Sequence, residues 1–92
     1  MAQVVYSENA LGNLERAFEF LAEKDPRAAA IREAVETSSN HPLIGWPVEG
    51  DLRELVISYG KTGYVALYRF LPMQDQVRIL AIRHQRELDY PI

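Results

Sequence analysis

Apolar positions in this chain change their period part-way along, and the change divides helix from strand. Leu11, Leu14, Phe18 and Leu21 recur at spacings of three, four and three, the stripe of an amphipathic helix, with Ala10 and Ala17 beside them. Ser7 stands where an N-cap would, and the run before it, "QVVY" at 3–6, reads as a short strand. Asp25 and Pro26 then stop one helix and start another. Ala28, Ile31, Ala34 and Val35 give that second helix a narrow face of mostly small residues, so the pair is predicted to form an αα-hairpin.

"TSSNHPLIGWPVEGD" at 37–51 has the Ser, Asn, Gly and Pro content of a loop, and its prolines exclude regular helix. Leu43, Ile44 and Trp46 are expected to tuck beneath it into the core. Beyond lie "LRELVIS" (52–58), "GYVALYRF" (63–70) and "QVRILAIRH" (76–84), rich in β-branched and aromatic residues and joined by connections short enough for antiparallel neighbours. Val77, Ile79 and Ala81 alternate with Leu80 and Ile82, so both faces of the last strand are apolar and it belongs in the middle of a sheet. On strict alternation Arg83 shares a face with Val77, Ile79 and Ala81, and His84 shares the other with Leu80 and Ile82. The predicted architecture is α+β, in the order β-α-α-β-β-β, an antiparallel sheet packed against an N-terminal αα-hairpin.

Length makes this one domain spanning 1–92, because halves of a 92-residue chain could not each bury a core without staples, and there is no cysteine to supply them. A hydrophobic fraction of 48% with 25% charged residues is that of a soluble globular protein. No apolar run is long enough to span a bilayer and no leader is evident, so a cytoplasmic location is expected. The net charge of −3 conceals an asymmetry: residues 1–51 carry four basic against nine acidic groups, residues 52–92 six against four. A pI near 5.3 argues against strong non-specific nucleic-acid binding.

"GKT" at 60–62 is no phosphate loop, since Leu55 occupies the position of its first glycine and a strand follows. With two histidines and no thiolate, a metal site is not expected, nor is any cofactor. What remains is the end of the last strand. Arg83, His84, Gln85 and Arg86, with Arg69 and Arg53 on preceding strands and Tyr90 folded back, could form a concave cationic site for a phosphodiester, Arg neutralising the oxyanion and His shuttling a proton. Equally, the arginines could pair with Glu54, Asp75, Glu87 and Asp89 as a solvated rim.

The order of elements, together with "HPLIGWPVEGDLRELVI", "GYVALYRF" and "VRILAIRHQRELDY", resembles the ParE/RelE superfamily of toxins from bacterial type II toxin–antitoxin modules, also called plasmid stabilisation proteins. The resemblance covers nearly the whole chain. It rests on Arg53 in its strand, Tyr64 and Tyr68 in the next, and a final strand running into "IRHQRE" with a tyrosine soon after. It implies a cytoplasmic toxin, neutralised by a cognate antitoxin in a hetero-oligomer, with no membrane partner. RelE-like members cut mRNA in the ribosomal A site, whereas ParE-like members inhibit DNA gyrase by protein binding. The acidic pI, and Val65 where RelE-like members often carry a basic residue, tilt the expectation towards gyrase inhibition without an enzymatic step. Arg69, Arg83, His84, Gln85, Arg86 and Tyr90 are then the target-binding candidates. Leu14, Phe18, Leu21, Trp46 and Tyr68 are the antitoxin-binding candidates. The alternative is a ribosome-dependent endoribonuclease with Arg53, Arg83, His84 and Tyr90 as catalytic candidates, and a non-toxic interaction domain of the same fold is a further one.

Overall fold

Ser7 caps the first helix as expected: its Oγ accepts a hydrogen bond from the Ala10 amide at 3.0 Å. The computed structural model describes residues 1–18, 26–59 and 62–86, with the side chains at 17–18, 26–28, 59 and 62 left undescribed. Its elements are β1 (Gln3–Tyr6), α1 (Glu8–Phe18), α2 (Pro26–Asn40), β2 (Trp46–Glu49), β3 (Leu52–Tyr59), β4 (Thr62–Leu71) and β5 (Gln76–His84). Among these described residues, no helix is long and apolar enough to cross a membrane.

The expected α+β order is present with one added strand. The sheet runs β1-β5-β4-β3-β2, its neighbours antiparallel except that β1 lies parallel to β5, which is therefore internal as its two apolar faces required. Two parts of the 37–51 segment depart from the loop reading. Thr37, Ser38 and Ser39 continue α2, because each hydroxyl donates to a carbonyl one turn back, on Glu33, Val35 and Glu36, and so stays paired inside the helix. Trp46–Glu49 forms the outermost strand, pairing Trp46 with Glu54 and Pro47 with Arg53 before a bulge. Proline is admissible there because an edge strand leaves half its N–H groups unused.

One face of the sheet carries Ile57, Tyr64, Ala66, Tyr68, Val77, Ile79 and Ile82, which form a single core with Ala10, Ile31 and Val35 of the helices. Along α1 the buried line is Ala10 and Asn13 with Leu14 half-buried, while Leu11, expected in the stripe, is 47% exposed.

The alternation of β5 is broken once. Leu67 pairs with Ala81 but Tyr68 pairs with Ile79, so Leu80 is an extra residue, a bulge. β1 ends beside Ile79, and beyond it the edge of β5 is taken over by polar side chains at the start of α1. Ser7 Oγ and Asn9 Nδ2 donate to the Leu80 carbonyl at 3.0 and 3.1 Å, and the Ile82 amide donates to Asn13 Oδ1 at 2.8 Å. Asn13 is 4% exposed and its Nδ2 has no acceptor among the described residues. The side chain is thus held by what its oxygen does, despite the cost of a buried unpaired donor.

Asn13→Ala is expected to strand the Ile82 amide and lower stability by about 1–3 kcal/mol, read as a shift in the urea midpoint at unchanged slope.

Candidate functional site

Because Leu80 is extra, every residue after it changes face relative to strict alternation. Arg83 lies opposite Val65 and His84 opposite Tyr64. Arg83 therefore shares a face with Ala81, Arg78 and Arg69, turned away from the helices, and not with Val77 and Ile79 as strict alternation had it. His84 joins Ile82, Ile79 and Val77 on the helix side. A bulge shifts the two-residue period by one, which inverts everything downstream.

The outer face lays charge over an apolar floor. Val65 and Ala81 are buried although the register places them on this side. Arg83 lies over that floor, its side chain 18% exposed, with Nη2 3.8 Å from Glu54 Oε2. Its Nη1 also points to the carbonyls of His84 and Gln85 at 3.4 and 3.5 Å. Arg78 donates to Gln76, and Arg69 to Asp51 at 3.0 Å, at the other end of the sheet. Four residues of β4 separate Val65, beside Arg83, from Arg69, so the two cations stand roughly 13 Å apart. Arg69–Asp51 uses a carboxylate that the solvated-rim reading did not name, whereas Arg83–Glu54 uses one that it did. The first is largely exposed and worth little; the second is shielded enough to orient both partners.

Arg53 is elsewhere. Its register with Tyr68 puts it on the helix face, where Nη1 donates to the carbonyls of Leu43 and Gly45 at 3.1 and 2.8 Å. Tyr68, fully buried, completes the arrangement: its hydroxyl accepts from the Gly45 amide and donates to the Pro42 carbonyl, both at 2.8 Å. Gly45 has no room for a side chain, since a Cβ would come within 2.7 Å of the Glu54 carbonyl and of the Tyr68 ring. Arg53 and Tyr68 thus hold the 42–45 segment by its backbone. This explains why the apolar residues there do not tuck inward as expected: Leu43, Ile44, Trp46 and Val48 are 61%, 48%, 75% and 52% exposed.

His84 packs edge-on against Tyr64, with ring centroids 5.2 Å apart, and its Nδ1 accepts from the Arg86 amide at 3.1 Å, which leaves the ring proton on Nε2. Gln85 donates its amide to the Gly63 carbonyl and folds its side chain over that glycine. Arg86 is exposed. Arg69 and Arg83 are thus gathered on the outer face while Arg53 and His84 are not. Tyr90 and Leu21 lie outside the described residues, as does the side chain of Phe18. Of the remaining antitoxin-binding candidates, Trp46 is presented to solvent, Leu14 is half-buried and Tyr68 is inaccessible. Sequence reasoning named Glu54 only as a rim partner. A carboxylate alternating with Leu55 and Ile57 on a strand was the available signal for its position on the face opposite theirs.

Residues 4–89 match the family described as the ParE toxin of the type II toxin–antitoxin system parDE. The chain is 34% identical to Toxin RelE1 of Caulobacter vibrioides over 89 residues, covering 91% of this chain and 94% of that one. It is 33% identical to Toxin RelE3 of the same organism over 92 residues, covering 95% and 98%. Among solved structures, a chain of the intact E. coli RelBE toxin–antitoxin complex superposes with a TM-score of 0.70 at 11% identity, covering 95% of this chain and all of that one, a likeness of fold.

Tyr68→Phe is expected to leave the Gly45 amide and Pro42 carbonyl unpaired and to cost about 1–3 kcal/mol by chemical denaturation. Trp46 fluorescence should report the loosened segment before the main unfolding transition; coincident transitions would show that the hydroxyl does not hold it.

Proposed function

The chain belongs to the ParE toxin family of type II toxin–antitoxin systems, and we propose that it is a growth-arresting toxin that acts on RNA at the ribosome in the RelE manner. The observation that carries this is the placement of Arg83, Arg78 and Arg69 on one sheet face, with Glu54 beside Arg83. Three of the ten cations on one sheet face give this acidic protein a local surface unlike its average, and that suits a polyanion. The names of the curated Caulobacter relatives favour this target over gyrase.

Cleavage of RNA needs a cation for the phosphate and a group to take the proton of the attacking 2′-hydroxyl. Arg83 supplies the first, its planar guanidinium placed to neutralise charge that grows on the phosphoryl oxygens. Glu54, held at 3.8 Å from Arg83 on the same face, supplies the second; attack of the 2′-oxygen then forms a cyclic phosphate as the P–O5′ bond breaks, and the departing 5′-oxygen takes its proton from solvent water. His84 is not placed for it: its ring stands on the opposite face against Tyr64, and its Nδ1 is already engaged. Arg53 serves the loop. In this reading the toxin works in the bacterial cytoplasm and is neutralised there by a cognate antitoxin, with the exposed Trp46 segment among the surfaces available to it.

A second reading, inhibition of DNA gyrase by protein binding, is favoured by the family match itself, whose description is of a ParE toxin. The two separate cleanly after induced expression in a bacterial host with parallel pulse labelling. RelE-like action predicts that protein synthesis falls first, with cut messages; DNA synthesis failing first, with an SOS response, would replace it by the gyrase reading. Arg83→Ala should reduce messenger cleavage at least tenfold and Glu54→Gln comparably, at unchanged thermal midpoint, whereas Arg83→Lys should retain part of the activity. Full toxicity in both the Arg83→Ala and Glu54→Gln variants would remove the outer face from the mechanism.

A further inference from the structure

Trp46, the one tryptophan of the chain, is 75% exposed, and the backbone before it is held in place. Arg53 and Tyr68 pin the 42–45 segment, and Gly45 fits against the Glu54 carbonyl and the Tyr68 ring. The register then gives the direction of the next side chain. Trp46 stands opposite Glu54 and Pro47 opposite Arg53, and the bulge of β2 comes only after them. Directly opposed residues of an antiparallel pair put their side chains on the same side of the sheet. Pro47 therefore goes with Arg53 to the helix face, and Trp46 goes with Glu54 to the outer face. Of the exposed apolar residues Leu43, Ile44, Trp46 and Val48, Trp46 is the one that the register places; the rest of that edge stays available to a protein partner.

Across the sheet the row reads Trp46, Glu54, Leu67 and Ala81, on β2, β3, β4 and β5. Arg83, further along β5, reaches back towards this row, its Nη2 3.8 Å from Glu54 Oε2. Trp46 is therefore one strand spacing, about 4.8 Å, from the residue whose carboxylate meets Arg83. An aromatic side chain beside a guanidinium has a specific use in RNA recognition. Single strands are held by cations along their phosphates and by aromatic rings on which unpaired bases stack. A protein laid over the indole would also cover Glu54 beside it and desolvate that carboxylate. A nucleotide instead lays an uncharged base on Trp46 while its phosphate meets Arg83.

We propose that Trp46 is the stacking platform for the base on the 5′ side of the cut, a reading that rests on the RNA assignment above. That base is carried by the same ribose whose 2′-hydroxyl faces Glu54, and Glu54 is the cross-strand neighbour of Trp46. Stacking on the indole therefore sets the ribose over the carboxylate and the following phosphate under Arg83. The substrate must be unpaired there, since a base inside a duplex offers no free face. Because the base is gripped by its flat side, any base is accepted at that position and a missing one is not.

Cleavage of a message on programmed ribosomes by the whole purified chain tests this. Trp46→Leu keeps an apolar side chain and loses the aromatic face, and at so exposed a position it should leave the thermal midpoint unchanged. It should lower kcat/KM by about tenfold, whereas Trp46→Phe keeps most of the activity. A message lacking the base 5′ of the cut should cost the wild type a similar factor and cost Trp46→Leu little more, because the two changes remove the same contact. Undiminished cleavage by Trp46→Leu, or a base removal that costs the variant as much as the wild type, would overturn the stacking role and leave the RNA reading standing. So would a Trp46→Leu chain that cuts normally yet binds the antitoxin of its module more weakly, which assigns the indole to the protein partner. A wild-type chain that cuts no message under these conditions would remove the RNA reading itself, and the stacking role with it.

Discussion

The bulge at Leu80, and the three polar side chains of the α1 start that hold it, decide what the rest of the surface can be. β1 is only four residues long and leaves the edge of β5 unpaired beyond Ile79. Ser7, Asn9 and Asn13 supply the missing partners, Ser7 capping the helix with the same hydroxyl that bonds the bulge. A regular strand would have put Arg83 against the helices and His84 outside. The extra residue reverses this, so a hydrogen-bonding device on one side of the sheet sets the chemistry of the other.

A second constraint separates the roles of the arginines. Arg53 and Arg83 are both cations on neighbouring parts of one sheet, yet they face opposite ways and meet different groups. Arg53 spends its hydrogen bonds on backbone carbonyls of the 42–45 segment, which with Tyr68 is pinned from below and needs no apolar anchor of its own. The exposure of Leu43, Ile44, Trp46 and Val48 is the consequence, and it makes this edge an apolar surface available to a protein partner. Arg83 meets Glu54 across a floor of Val65 and Ala81, where partial shielding strengthens the pairing of charge and fixes its direction.

Two surfaces follow, with different physics. The outer sheet face carries Arg69, Arg78 and Arg83 over an apolar floor. The Trp46 edge is apolar and guarded by Pro47 and a bulge, so it suits side-chain packing more than strand addition.

The elements were legible in the sequence because local rules govern them. The hydroxyl at Ser7, the Pro26 start of α2 and the β-branched runs of 52–58, 63–70 and 76–84 all appear where propensity and period placed them. The internal position of β5 followed from its two apolar faces. The facing of Arg83 and His84 was not legible, because one unpaired residue at Leu80 inverts an alternation that sequence alone must assume is regular, and what holds Leu80 lies some seventy residues away, at Ser7 and Asn9. The strand at Trp46–Glu49 was hidden for a similar reason, since Pro47 and the flanking Gly45 and Gly50 signal a loop and only β3 beside it supplies the hydrogen bonds that make it a strand. Sequence by itself determined most of the helix and strand segments, the 37–49 stretch excepted, and which half of the chain is richer in cations. Tertiary structure decided which of those cations share a face, because a face is defined by register, and register is set between strands rather than within one.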